Sequence, residues 1–296
     1  MRHAHHAAFG LWEFALTAVL VLAALVHAGS SIRNRKLSRG PVESWRIGSF
    51  LFGLFLIWLA MASPLAALDH ELLTVHMIQH LLLMTIAPPL ILFGAPIKRG
   101  WEQLSPRLAR PTVSRRTSSL FERLGRTILQ PTVCWLAATG TLVLWHIPPV
   151  FMVGMRSQLW HGFEQASFLT AGLLFWWPVT HSNSTPSDRS EWLIVLYLFL
   201  ATLPCDILSG FLVFCDRVVY PAYLSSPGLA GFSALEDQQC AGALMWTCVT
   251  VVYLIAGTIF AARLLSPGNL LQRATSGSQP GAMPGTLRKL PSALVR

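Results

Sequence analysis

The stretch "HMIQHLLLMTIAPPLILFGAP", residues His76–Pro96, is apolar enough to lie in a lipid bilayer but carries two histidines four positions apart. About 20 such residues are needed to cross the hydrocarbon as a helix. At 3.6 residues per turn, His76, Met77, His80 and Met84 share one side of that helix. The stretch therefore predicts a membrane helix with imidazoles at positions where lipid cannot solvate them.

The whole chain has the composition of an integral membrane protein. Of its 296 residues, 53% are hydrophobic and only 12% are charged, and its mean hydropathy is +0.52. We predict an all-α fold, a polytopic bundle of seven transmembrane helices in a single domain over residues 1–265. The seven predicted spans are Phe9–Ala28, Trp45–Ser63, Leu72–Phe93, Pro131–His146, Gly162–Thr180, Trp192–Phe214 and Cys240–Leu265.

The lysines and arginines predict how these spans are oriented. If the N-terminus lies outside, 19 of the 22 Lys and Arg residues fall on cytoplasmic segments, and only Arg2, Arg156 and Arg217 fall on the outer side. Such an excess marks the cytoplasmic side of membrane proteins. We therefore predict an outer N-terminus, a cytoplasmic C-terminus and a basic cytoplasmic loop at about residues 94–130.

The segments outside the spans complete this topology. We predict an outer loop at about residues 215–239 and a disordered cytoplasmic tail over residues 266–296, which is rich in Gly, Pro and Ser. The net charge of +9 indicates contact with anionic membrane lipid and no binding of nucleic acid, because the cations are spread over several loops.

The first span also fits a cleaved signal peptide, because Arg2 precedes it and Val26–Gly29 provides small residues at its end. The basic block Ile32–Lys36 favours its retention as a membrane span.

Polar residues from several predicted spans gather at the outer ends of the helices. Ionisable groups within a membrane are costly and usually mark functional sites. Because two imidazoles one turn apart can bind the same metal ion, we predict His76 and His80 as ligands. The additional candidate donors are His146, His161 and Cys205, and the groups predicted to surround or admit the ion are Glu164, Asp206, Asp237 and Met77.

Some of these residues also fit a structural role. A lone histidine at a membrane end, such as His146, is often an interfacial residue. Met77 can fill an irregular helix contact, and Asp206 can bridge two helices. The sequence contains neither a nucleotide-binding glycine motif nor a hydrolase elbow, so we predict that the protein is not an enzyme.

Copper is the ion that these donors favour. Imidazole with thioether or thiolate suits Cu(I), whereas spans poor in carboxylates suit Mg²⁺ or Ca²⁺ badly. Three alternatives stay open. The histidines could ligate haem in an electron carrier, the protein could transport metal through helices broken at Pro88–Pro89 and Pro204, or it could be a scaffold without metal.

Short motifs occur in a fixed order between Trp45 and Leu265. They are HMIQHLL at 76–82 with APP at 87–89 and GAP at 94–96, WHIP at 145–148, HGFE at 161–164, FWWP at 175–178, YPAY at 220–223, and DQQ at 237–239 before GALMW at 242–246. This order resembles the seven-span CtaG-like assembly factors of caa-type cytochrome c oxidase.

The resemblance implies a multi-pass protein of the bacterial plasma membrane that handles or delivers copper at the outer face. It implies cytochrome c oxidase subunits as partners. The oligomeric state stays open, a homo-oligomer included. The chain departs from the resembled pattern at one position, because the fifth helix usually reads His-x-x-Glu-His and here Glu164 is followed by Gln165. An amide is a poorer metal ligand than imidazole, so the site either has one ligand fewer or uses His161.

Overall fold

The described residues form an all-helical protein. The computed structural model describes residues 2–37, 44–64, 66–95, 124–125, 127–181, 188–225, 231 and 233–265. Most of the predicted basic loop and the whole predicted tail lie outside these ranges. The helices, named in chain order, are α1 (Arg2–Leu37), α2 (Ser44–Met61), α3 (Leu73–Leu81), α4 (Ala87–Gly94), α5 (Pro131–His146), α6 (Pro148–Arg156), α7 (Gln158–His181), α8 (Asp188–Phe214) and α9 (Ala234–Leu264).

Within the described ranges, five helical segments are long and apolar enough to cross a membrane: α1, α2, the continuous α3–α4 segment, α8 and α9. Helices α5 and α6 form a sixth candidate if they count as one span bent by 79°. The bend lies at Ile147, which has extended dihedral angles (φ −68°, ψ 122°), because the residue before a proline avoids the helical conformation. The predicted fifth span is also helical as α7, but this helix is not among the candidate membrane spans of the described residues.

The segment α3–α4 is the centre of the bundle. Of its most apolar window, 61% is buried inside the protein, compared with 6% for α1 and 22% for α9. It packs against α2, α7 and α9. The two histidines of the opening stretch therefore lie on the element that the rest of the protein encloses.

A turn of π-helix, Leu82–Ile86, joins α3 to α4. Pro88 and Pro89 have no N–H to donate to the carbonyl groups one turn earlier, and the Ala87 N–H donates to the Leu82 carbonyl, five residues back. The helix therefore continues through the prolines by widening one turn. Pro204 likewise lies inside the uninterrupted α8, so the helix breaks expected by the transporter alternative are wrong.

The last helix begins earlier than the sequence predicted. Ser233 and Glu236 form a capping box at the start of α9, in which each side chain accepts the other residue's backbone N–H. The predicted outer loop at 215–239 is therefore too long, and its last residues, including Asp237, belong to the first turns of α9.

Gly172 lets α7 approach the π-helical turn closely. A Cβ atom on Gly172 would lie 2.6 Å from the Met84 carbonyl oxygen and 2.8 Å from the Met84 Cα. Met84 follows the candidate site residue His76 by eight positions, and Gly172 follows Glu164 by the same number. The close approach therefore fixes the distance between the two helices that carry the site.

We expect Gly172→Ala to lower the free energy of unfolding by about 1–3 kcal/mol relative to Gly162→Ala, because the added methyl group meets backbone atoms. Gly162 lies on the same helix with open space around its Cβ position, so both variants gain the same helix propensity. Unfolding in a denaturing detergent measures the difference. Equal stabilities of the two variants would contradict this close approach.

Candidate metal centre

Helix α3 presents two buried histidines, one near its middle and one in its last turn. His76 is 0% exposed and His80 is 5% exposed, and their ring centroids lie 4.3 Å apart. This geometry follows from their spacing of four residues, which places both side chains on one face of the helix. The pair therefore points into the protein and away from lipid.

Glu164, near the start of α7, lies between these two rings. Its Oε1 atom is 3.5 Å from the Nε2 atom of His76 and 3.5 Å from the Nε2 atom of His80, and Glu164 is completely buried. Two atoms that bind one tetrahedral metal ion at about 2.1 Å lie about 3.4 Å apart. The three residues, which we call the glutamate triad, therefore have the spacing of a metal site.

Several polar atoms of the glutamate triad have no hydrogen-bond partner among the described residues. They are both ring nitrogens of His76, both ring nitrogens of His80 and Oε1 of Glu164. Buried polar atoms are almost always hydrogen-bonded, so a cluster of unsatisfied atoms requires an explanation. A shared cation would satisfy the atoms that face one another.

A second group of three overlaps the first. The Nε2 atom of His161 lies 2.8 Å from Oδ2 of Asp69, and the ligand atoms of Asp69, His76 and His161 all lie within 4.8 Å of one another. We call this group the aspartate triad. It is joined to the glutamate triad through His76 and through Glu164, whose Oε2 atom is 3.3 Å from Nδ1 of His161.

Asp69 lies in the connection between α2 and α3, outside the spans. Burial alone would raise the pKa of Asp69, but the hydrogen bond and the positive charge that His161 can provide outweigh it and hold the pKa below its ordinary value. Asp69 is therefore ionised at neutral pH and contributes a negative charge to the aspartate triad.

The sequence profile described as "Cytochrome c oxidase caa3 assembly factor (Caa3_CtaG)" matches residues 13–266. The chain belongs to this family. The resemblance of its motifs to CtaG-like assembly factors is thus confirmed.

Curated relatives add little about the activity of this chain. An uncharacterized protein of Mycobacterium leprae is 20% identical over 83% of the chain, and one of Mycobacterium bovis is 24% identical over 77%. The chain spans 38% and 35% of their respective lengths. No solved structure shows a significant match.

Two of the predicted donors, His146 and Cys205, lie beside the triads without joining them. His146, at the end of α5, places Nε2 3.4 Å from the Met77 sulfur, and its Nδ1 is 2.7 Å from the Leu142 carbonyl oxygen. The Cys205 thiol is 3.8 Å from the Ser209 hydroxyl. His146 and Cys205 line one cavity of about 40 Å³ together with His80.

The two predicted aspartates have different surroundings. Asp237 accepts hydrogen bonds from the backbone N–H groups of Leu73 and Thr74, at 2.6 and 3.1 Å. The N-cap residue of α3, Leu72, has no side chain that could accept them, so Asp237 anchors the helix that carries the histidines. Asp206 accepts a 3.5 Å hydrogen bond from Thr250 on α9.

Asp69 and Gln79 are not among the site residues predicted from the sequence. Asp69 was visible only as part of a polar Asp-His-Glu run before the third span. Gln79 lies inside the HMIQH motif and donates a 3.2 Å hydrogen bond to Oδ2 of Asp69. The position of Gln79, a polar residue between two histidines of a predicted membrane helix, was the signal that could have indicated its role.

We expect Asp237→Ala to weaken the start of α3 by about 0.5–2 kcal/mol, the cost of losing a helix cap. Backbone hydrogen exchange at Leu73 and Thr74 should accelerate. The matched control is Asp206→Ala, which removes a half-buried carboxylate of α8. It should leave the exchange rates of the Leu73 and Thr74 amides unchanged. Equal protection in both variants would show that Asp237 does not cap α3.

Proposed function

We propose that this assembly factor binds a metal ion, copper before others, through His76, His80 and Glu164 and supplies it to a caa3-type oxidase during assembly. The observation that carries the proposal is the glutamate triad itself. Two imidazoles and one carboxylate are completely or almost completely buried, face one another at 3.5 Å and have unpartnered atoms within the described part of the chain.

The energetic cost of this arrangement supports a bound cation. A buried polar group without a partner costs about 1–3 kcal/mol, and a charged group costs more. Removing one partner of a buried ion pair costs about 3–5 kcal/mol because the other charge stays uncompensated. An ion between Glu164 and the two histidines offsets these costs at several atoms at once, which a structural role for the histidines alone does not.

The donor atoms support copper in its divalent form. Imidazole nitrogen suits copper, zinc, iron and nickel, and among divalent ions such a site binds Cu²⁺ most tightly. The sulfur atoms that would favour Cu(I) are directed elsewhere, since Met77 faces His146 and Cys205 faces Ser209. We therefore propose Cu(II) as the form that the glutamate triad holds.

The position of the triad supports delivery at the outer face of the bacterial plasma membrane. His76 and His80 lie in the first half of the continuous α3–α4 segment, Glu164 in the first two turns of α7 and His146 at the end of α5, so all lie toward one end of the bundle. The distribution of 19 and three basic residues favours that end as the outer one. This orientation requires seven spans, with α7 and the bent α5–α6 pair each crossing the bilayer.

A shallow site supports a cargo ion over a resident cofactor. His80 is about two turns from the start of α3, so an ion there lies close to the membrane surface. Oxidase subunits, which would receive the copper, are the proposed partners, and no chemical conversion of the ion is required. The protein then acts by binding and releasing its substrate metal.

We expect the purified protein to bind about one copper ion per chain and the variant His76→Ala/His80→Ala to bind almost none, because two of three ligands are lost. The matched control is His27→Ala/His181→Ala, which removes two histidines of other helices. Metal analysis and oxidase activity in the same membranes provide the measurements.

Full copper content and full oxidase activity in His76→Ala/His80→Ala would contradict the proposed function. A Soret band in the wild-type protein would instead support the haem alternative. Loss of oxidase activity with unchanged copper content would support the scaffold alternative.

A further inference from the structure

We propose that Asp69 and His161, with His76 as a shared ligand, form a second metal position that receives the ion first and passes it to the glutamate triad. This inference rests on the proposed function and deepens it, because it assigns the route by which the cargo ion reaches its site. It makes Asp69, which is not among the predicted site residues, a metal ligand, and it gives the two triads an order in which the ion occupies them.

The aspartate triad has the composition of a metal site in its own right. It offers one carboxylate and two imidazoles whose ligand atoms lie within 4.8 Å of one another, and all three residues are buried. Its carboxylate also contains an unsatisfied atom, because Oδ1 of Asp69 has no hydrogen-bond partner among the described residues. The Nε2 atom of His70 lies 3.7 Å from that oxygen, which is too long for a hydrogen bond.

A conflict between hydrogen-bond donors at His161 points to the same position. Gln79 donates its amide N–H to Asp69, so its carbonyl oxygen accepts from the Gln165 amide nitrogen at 3.3 Å. This orientation turns the Gln165 nitrogen toward Nε2 of His161, at 2.9 Å. That same Nε2 atom lies 2.8 Å from the carboxylate of Asp69.

One nitrogen atom cannot satisfy both neighbours. If His161 carries a hydrogen on Nε2, that hydrogen serves Asp69 and the N–H groups of His161 and Gln165 oppose each other. If the nitrogen carries a lone pair, the lone pair faces the negative charge of Asp69. A cation resolves the second arrangement, because the lone pair of His161 and the carboxylate of Asp69 then bind the same ion.

Glu164 contacts the other ring nitrogen of His161, Nδ1. With Nε2 of His161 bound to the ion, the hydrogen of the imidazole lies on Nδ1 and is donated to Oε2 of Glu164, 3.3 Å away. Histidine ligands of metal ions usually donate their second N–H to a carboxylate in this way. The same carboxylate that binds in one triad thus orients a ligand of the other.

The aspartate triad meets solvent before the glutamate triad does. A cavity of about 300 Å³ is lined by Asp69, His70, His161 and Gln165 together with Met61 and Arg156, and neither His80 nor Glu164 lines it. The side chain of His70 is 52% exposed, so the cavity reaches the surface there. An ion arriving from outside therefore contacts Asp69 and His161 first.

The shared ligand provides a route between the two positions. An ion held by Asp69, His161 and His76 keeps the His76 ligand while His80 and Glu164 replace the other two. The ion keeps its oxidation state, and one carboxylate is bound before and after the exchange. Because His76 belongs to both triads, we expect only one ion to be bound at equilibrium.

The rate of copper uptake tests this order. We expect Asp69→Asn to load Cu(II) from its glycine complex at least tenfold more slowly than the wild-type protein and to reach the same final copper content. The matched control Asp216→Asn, which changes an exposed aspartate in the turn after α8, should load at the wild-type rate. Stopped-flow quenching of tryptophan fluorescence follows the uptake, because Trp145 packs beside Gly154 and Glu164, and metal analysis gives the final content.

A gain-of-function variant keeps the test independent of folding defects. Gln165→His adds an imidazole next to His161, so His80→Ala/Gln165→His should bind Cu(II) at least tenfold more tightly than His80→Ala alone. The added ligand should appear in electron paramagnetic resonance as one further nitrogen coupled to copper. Absence of this gain would overturn the second metal position.

The outcomes separate this inference from the proposed function. Loading of Asp69→Asn at the wild-type rate overturns the order of the two positions and leaves the glutamate triad intact. Loss of copper at equilibrium in Asp69→Asn, with copper retained in Asp216→Asn, also overturns it, because Asp69 would then belong to a single site. A wild-type protein that binds no copper overturns both proposals.

Discussion

A carboxylate buried inside a membrane bundle requires positive charge or hydrogen-bond donors, and Glu164 is surrounded by imidazole nitrogens from three histidines. Its Oε1 atom faces His76 and His80 at 3.5 Å, and its Oε2 atom faces His161 at 3.3 Å. Removing such a group from water costs several kcal/mol unless its neighbours compensate. The two triads and the proposed transfer between them depend on this residue, since it binds in one and orients a ligand of the other.

The remaining structure holds the helices of this site at fixed distances. Asp237 of α9 caps the start of α3, which has no cap of its own. Gly172 allows α7 to contact the π-helical turn below the histidines. Gly154 of α6 leaves space for Glu164, because a Cβ atom there would lie 2.7 Å from Oε2. Backbone positions with little spare room thus determine where the carboxylate lies.

Local sequence patterns predicted much of this architecture. Apolar segments gave the helices, and a spacing of four residues placed His76 and His80 on one buried face, which the structure confirms. The local patterns did not predict contacts that depend on packing between distant parts of the chain. Asp69, in the connection after α2, contacts His161 of α7. Phe151, after the bend between α5 and α6, has its ring centroid 5.0 Å from that of His76. Such contacts between elements distant in sequence leave no periodic signal in a single chain.

The same limit explains the predicted sulfur donors. Met77 and Cys205 occur at suitable depths in the membrane, but side-chain direction decides what they contact, and they face His146 and Ser209. The donors that converge are nitrogen and oxygen. This difference changes the proposed cargo from Cu(I) to Cu(II).

X-ray absorption of the copper-loaded protein tests the ligand set most directly. If His76, His80 and Glu164 bind the ion, the copper has nitrogen and oxygen neighbours at about 2.0 Å, scattering from imidazole rings and no sulfur neighbour. A sulfur neighbour at about 2.3 Å would contradict this ligand set, because the ion would then lie with Cys205 or a methionine and not between His76, His80 and Glu164.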